Sequence, residues 1–139
     1  MYVLDTNVIS EFRKIGNGSC HPGVLNWSNA VDARNLYLSA ITLMELEIGC
    51  LSLMRRDVVQ ATVLRSWISE YVLTAFDRRI LSFDQSAAQQ CAALHVPDRK
   101  SERDAMIAAI ALSNGFIVVT RNLRDFQGTG VRLLNPWEN

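Results

Sequence analysis

The sequence predicts an α/β fold, a parallel sheet that helices cover on both faces. Two observations point to it. Segments such as "YVL" and "FIVVT" are apolar along their length rather than at every second position, as in strands buried on both sides. They alternate with stretches of helical period, and helices are the crossovers that join parallel strands. A length of 139 residues suits one domain, 1–139, whose core needs neither disulfides nor a structural metal. Apolar residues make up 49% and charged residues 20%, ordinary values that disfavour both disordered and membrane classes. The longest mostly apolar run, Ala105 to Leu112, is too short to span a bilayer.

The elements follow in order. "YVL" is a first strand; Val8, Ile9 and Phe12 mark a short helix that ends in the loop "KIGNGSCHPG". Pro22 suits the first turn of a second helix carrying Val24, Leu25 and Trp27. "NLYLS", Asn35 to Ser39, is a second strand, and Thr42 opens a longer helix to about Met54. Asp57 to Val72 form another amphipathic helix, and Gln85 to Leu94 one more, capped by Asp84. Ser101 starts the Ala-rich helix "ERDAMIAAIALSN", with Gly115 placed for a left-handed C-cap. "FIVVT", Phe116 to Thr120, a polar loop and a last strand "VRLLN" complete the chain before Pro136. No internal repeat, linker or low-complexity segment interrupts this order.

Cys20, Cys50 and Cys91 are odd in number and widely spaced, which opposes a disulfide framework or a zinc site. With no basic segment leading into an apolar one ahead of Tyr2, no signal peptide is expected and a cytoplasmic location is. Basic and acidic residues balance at 14 each, so the overall field does not select nucleic acid. Yet 12 of the 14 basic residues are Arg, the side chain suited to bidentate phosphate contact.

Asp5, Glu45, Asp104 and Asp125 each admit a structural explanation. Asp5 can cap the first helix, Glu45 completes a T-x-x-E capping box with Thr42, Asp104 lies in a helix first turn, and Asp125 fits a turn. Their joint placement is more telling, because all four fall just past a strand or in the first turn of the following helix. In a parallel sheet that is one edge of the molecule, where ligands bind. Carboxylates converging there repel, by about 4 kcal/mol for two charges ~4 Å apart at an effective dielectric near 20. A cation should offset this, and oxygen-only ligands select Mg²⁺ or Mn²⁺ over zinc. His21 and His95 fall outside the set and are expected in surface or loop positions. Asn7, Thr120 and Asn122 are short polar residues placed to hold a carboxylate or a water.

The segments "LDTNVISE", "TLMELEIG", "RDAMIAAIA" and "TRNLRDF" resemble, in this order and spacing, the acidic motifs of the PIN-domain ribonucleases. The likeness covers essentially the whole chain and is nearest to the VapC and FitB group of bacterial toxins, including "RSWI" and "RRILSFD". Ser82 departs from the Pro expected in that last segment. The resemblance implies a three-layer α/β/α sandwich with a five-stranded parallel sheet of order 3-2-1-4-5. It implies Asp5, Glu45, Asp104 and Asp125 as the acids that hold Mg²⁺ or Mn²⁺, with Thr120 and Asn122 as polar support. It further implies a toxin that cuts RNA, forms a homodimer, and is restrained by a cognate antitoxin within a larger toxin–antitoxin complex, with no membrane involved. Hydrolysis assisted by cations on these acids would leave 5′-phosphate ends, and Arg121 and Arg124 are candidates for RNA phosphate contacts.

Rival α/β classes fit less well. A receiver domain needs an adjacent acid pair after its first strand and a strand-end Lys, but Asp5 is single and only Lys14 and Lys100 occur. Haloacid-type phosphatases need D-x-D where this chain has Asp5 and Asn7, and "GNG" lacks the strand-to-helix setting of a phosphate loop. The remaining alternative is a PIN-like module that binds RNA or a partner without cutting.

Overall fold

The structure, a computed structural model, describes residues 1–138. β1 (Tyr2–Leu4) lies at the centre of a five-stranded sheet of order β3-β2-β1-β4-β5. β2 (Leu36–Ser39) and β4 (Ile117–Val119) flank it, with β3 (Ile80–Leu81) and β5 (Leu133–Leu134) at the edges, every pair parallel. This is the predicted sheet in both order and sense.

Side-chain alternation along these strands feeds two apolar layers. Val3 and its neighbour in register, Val118, pack with Ile107, Ala108, Ile110, Ala111 and Phe126, whereas Leu4 and Val119 turn to the opposite face among Val8, Ile9, Phe12, Leu38 and Ile68. A central strand sealed on both faces has no polar position to spare, which is why "YVL" reads as continuously apolar.

α1 (Thr6–Phe12) and α2 (Pro22–Ala30) follow β1, and α3 (Ala40–Met54) follows β2. α4 (Val58–Trp67) runs through a π-helical turn at Ile68–Val72 into the single turn α5 (Leu73–Ala75). α6 (Gln85–Leu94) and α7 (Glu102–Asn114) lead to β4, and a 3-10 turn at Leu123–Phe126 leads towards β5. The expected caps of α6 and α7 are present: Asp84 Oδ1 accepts from Ala87 N at 2.9 Å, and Gly115 adopts φ 72°.

Three expectations need correction. α3 begins at Ala40 rather than Thr42, because the Ser39 hydroxyl accepts from Thr42 N at 3.0 Å and so takes the N-cap. Glu45 therefore stands beyond the first turn and closes no capping box. Residues 57 to 72 are not one regular α-helix, since the ladder widens to the π turn at Ile68, where both Ile68 and Val72 are fully buried. β3 is too short to show any periodicity, so only the family resemblance implies it; it ends at Leu81 without a proline at Ser82.

Chain order reverses between β1 and β4, so the loops after these two strands border the switch point where open α/β sheets bind ligands. Asp5 N donates to Val119 O at 2.9 Å, which ties the two strand ends together. No helix among the described residues is long and apolar enough to cross a membrane.

Candidate active site

Asp5 is the first residue after β1 and is 7% exposed. Its Oδ1 accepts from Thr6 N at 2.8 Å, so it does cap α1. Its Oδ2 accepts from Thr120 Oγ1 at 2.9 Å and from Asn7 Nδ2 at 3.3 Å. The capping and functional readings are therefore not rivals, because one oxygen serves the helix and the other faces the loop after β4. Thr120 is fully buried and also accepts from Asn7 Nδ2 at 3.3 Å and Asn122 N at 3.0 Å. Asn7 Oδ1 in turn accepts from Arg121 N at 3.1 Å, completing a clamp between α1 and the β4 loop.

The other acids come from three further elements. Glu45 lies on α3, where its Oε1 accepts from Thr6 Oγ1 at 2.8 Å. Asp104 sits in the first turn of α7, as its spacing predicts, near the Ser101 hydroxyl. Asp125 belongs to the 3-10 turn after β4, anchored by the adjacent Phe126, which is 1% exposed. All four border one cleft of about 320 Å³, with Thr6, Asn7, Ser10 and Asn122 as the remaining lining.

The acids feel one another. Burial pushes the Asp5 carboxyl above its ordinary value, hydrogen bonds from Thr120 and Thr6 draw it back, and the charges of Asp104 and Glu45 raise it again. Asp104 is raised by partial burial first, against a lowering bond from Ser101, and then by Asp125 and Glu45. Cationic relief within the chain is slight: among the described residues only Arg103 reaches any of the four, with Nη1 3.7 Å from Glu45 Oε2.

That donor set, four carboxylates with hydroxyl and amide oxygens and neither imidazole nor thiolate, fits a hard divalent cation. Among the described residues, however, no three His, Cys, Asp or Glu side chains are arranged to hold an ion together. The acids border the cleft without converging on one point.

Both histidines lie elsewhere. His21 Nδ1 accepts from Gly23 N at 3.1 Å and caps α2, and His95 Nδ1 accepts from Lys100 N at 3.0 Å. The three cysteines are buried and free. Arg121 and Arg124 are exposed and line a second cavity of about 480 Å³ that shares Asn122 and Asp125 with the acid cleft. Thr6 and Ser10 line the cleft although neither belongs to the acidic and amide set that the sequence predicts. Their signal is spacing, since they stand one α1 turn apart on the face that begins beside Asp5.

A model of the PIN domain matches residues 2–130. The chain is 41% identical over 143 residues to the plasmid stability protein StbB of Pseudomonas syringae pv. tomato, covering 99% of each. It is 37% identical over 143 residues to the VapC ribonuclease Y4jK of Sinorhizobium fredii, again with 99% of each covered. Toxin FitB of Neisseria gonorrhoeae is 32% identical over 145 residues, across 100% of both. The crystal structure of FitAcB from Neisseria gonorrhoeae superposes with a TM-score of 0.89 at 31% identity, covering 100% of both chains. Matched over nearly its whole length by the family model and by these relatives, the chain belongs to the PIN domain family.

Proposed function

We propose that this protein is a divalent-metal-dependent endoribonuclease and the toxin of a toxin–antitoxin pair, a single domain that acts in the cytoplasm as a homodimer. One observation carries the catalytic reading: four acids from four separate elements border one cleft, and among the described residues only a 3.7 Å contact from Arg103 offsets their charge. Likeness to a VapC ribonuclease and to toxin FitB supports RNA as substrate and a cognate antitoxin as partner.

Asp5, Asp104 and Glu45, with Asp125, are the residues that would hold Mg²⁺ or Mn²⁺. When bound, such an ion neutralises phosphate charge and acidifies water for attack. The chain's own contribution is placement. Thr120 and Asn7 fix the Asp5 carboxylate, and Thr6 fixes that of Glu45. Burial first, and then the charge of the neighbouring carboxylates, raises the affinity of Asp5 and Asp104 for protons, and a cation would relieve the second of these. Asp125, exposed on its turn, can take a proton from the attacking water or hold it in line.

A second reading, an RNA- or partner-binding module without cleavage, draws on the absence of a closed three-ligand centre among the described residues. Purified protein free of partner, incubated with total RNA, separates the two. Cleavage with Mg²⁺ or Mn²⁺ that EDTA abolishes and Asp5→Asn removes establishes the nuclease; binding without cleavage under every condition establishes the module.

A further inference from the structure

The acid cleft continues into a cavity on each side. From its Thr6, Ser10 and Glu45 side opens a groove of about 690 Å³ that reaches Arg13, Lys14 and Trp67. From Asn122 and Asp125 opens the cavity lined by Arg121 and Arg124. Because α3 follows β2 while the 3-10 turn follows β4, and these strands flank β1 on opposite sides, the two cavities lie on opposite sides of Asp5.

An Arg that lines each cavity contacts a Trp: Trp67 lines the larger groove itself, and Trp137 precedes Glu138, which lines the smaller cavity. The Arg13 guanidinium carbon lies 5.8 Å from the Trp67 ring centroid, and that of Arg121 lies 5.5 Å from Trp137. Trp67 is further stacked on Tyr71, with centroids 6.0 Å apart and planes 21° from parallel. Neither Arg13 nor Arg121 has an acidic partner within 4.0 Å among the described residues. Both tryptophans are only half-buried, in contrast to Trp27, which is 8% exposed.

Resting on the nuclease reading, we propose that an unpaired RNA strand crosses the carboxylates from one Arg–Trp pair to the other, with a base stacked at each. The electrostatics favour such flanks. A cation on the acids would offset their repulsion of one phosphate, but the chain's net charge of zero offers no long-range attraction to the rest of a strand, so further affinity comes from local stations on either side. Bases stack on aromatic rings and on Arg guanidinium planes, and only unpaired bases present a free face. A protein segment would find Leu46, Val63 and Leu64 in the larger groove, but the matched Arg–Trp pairs on both sides answer to phosphates and bases.

The test uses a fluorescein-labelled 12-nucleotide RNA of mixed sequence, titrated by anisotropy with the Asp104→Asn protein, which leaves the RNA intact. Trp67→Ala and Trp137→Ala, each added to that background, should weaken binding about tenfold, within the range known for loss of one stacked base. Trp67→Phe should retain most of the affinity, which separates stacking from misfolding, and a duplex of the same sequence should bind more weakly. If the unsubstituted background binds and both Ala variants match it, the track is overturned; if only one weakens binding, the two-sided track is overturned. Unchanged RNA affinity together with loss of the cognate antitoxin would assign the groove to a protein segment and also overturn it. Cleavage by the proteins carrying Asp104 is scored separately, so any of these failures leaves the nuclease reading standing, whereas no binding and no cleavage removes both.

Discussion

Thr120 Oγ1 donates a 2.9 Å hydrogen bond to Asp5 Oδ2 across 115 positions of sequence, so the ends of β1 and β4 hold a single buried carboxylate between them. Thr120→Val keeps the shape and removes the hydroxyl. Asp5 then loses a donor, and Asn7 and Asn122 lose an acceptor. Stability should fall by about 1–3 kcal/mol, the cost of unpaired buried polar groups, and cleavage should fall as Asp5 loosens. Thr120→Ser should restore most of both. Denaturant melts and single-turnover cleavage check this; wild-type behaviour from Thr120→Val would mean that the bond positions nothing.

The site is expected to cost stability in the absence of cations. Asp5 binds its proton more tightly in the folded protein than in the unfolded one, burial being the first cause. The favourable proton binding is present at low pH, and stability falls as pH rises from the ordinary carboxylate value near 4 through the raised one. Asp5→Asn keeps a side chain that caps α1 well and removes the charge. In EDTA at pH 7 its melting temperature should exceed that of wild type, by about 3–4 °C for each kcal/mol recovered, although cleavage is lost. A lower melting temperature than wild type at pH 7 would show that the Asp5 charge is well satisfied without a cation.

Arg103 competes with any cation for Glu45, at 3.7 Å and with half its side chain exposed. Such a pair contributes at most about 1 kcal/mol. Arg103→Ala should leave the melting temperature nearly unchanged and tighten Mn²⁺ binding a few-fold, an effect that shrinks in high salt. Weaker Mn²⁺ binding in this variant would mean that Arg103 supports the site rather than guarding it.

Asp125 depends on its neighbour for position. Phe126 is buried beneath the 3-10 turn in the apolar layer that also holds Val3 and Ile107. Phe126→Ala should destabilise the fold by about 3–5 kcal/mol. Phe126→Leu should cost far less stability yet still reduce cleavage, because the turn loses its ring anchor. Equal losses of activity and folded fraction in Phe126→Leu would limit Phe126 to a packing role.

The sequence made these relationships legible in proportion to how local their causes are. Asp5 as cap, Asp84 before α6 and Gly115 after α7 follow from contacts within a few residues, and the two-sided burial of β1 and β4 is written into their continuously apolar composition. The start of α3 is ambiguous in sequence because Ser39 and Thr42 both cap well, and it is Ser39 that takes the cap. β3 has two residues, Ile80 and Leu81, and exists through its register with Leu38 and Ser39. Thr6 as the partner of Glu45 was equally hidden, since their hydrogen bond spans 39 positions and carries no periodic signature. The grouping of the four acids was legible because each sits at a strand end or the helix behind it, and parallel topology delivers all such positions to one edge.

The most direct measurement is a calorimetric titration of Mn²⁺ into the metal-free protein, wild type against Asp5→Asn and Asp104→Asn. Saturable binding to wild type, weakened at least about tenfold (1.4 kcal/mol) in each variant, is the result that joint coordination by residues of separate elements predicts. Equal affinity in all three proteins, or no saturable binding to wild type, would contradict it.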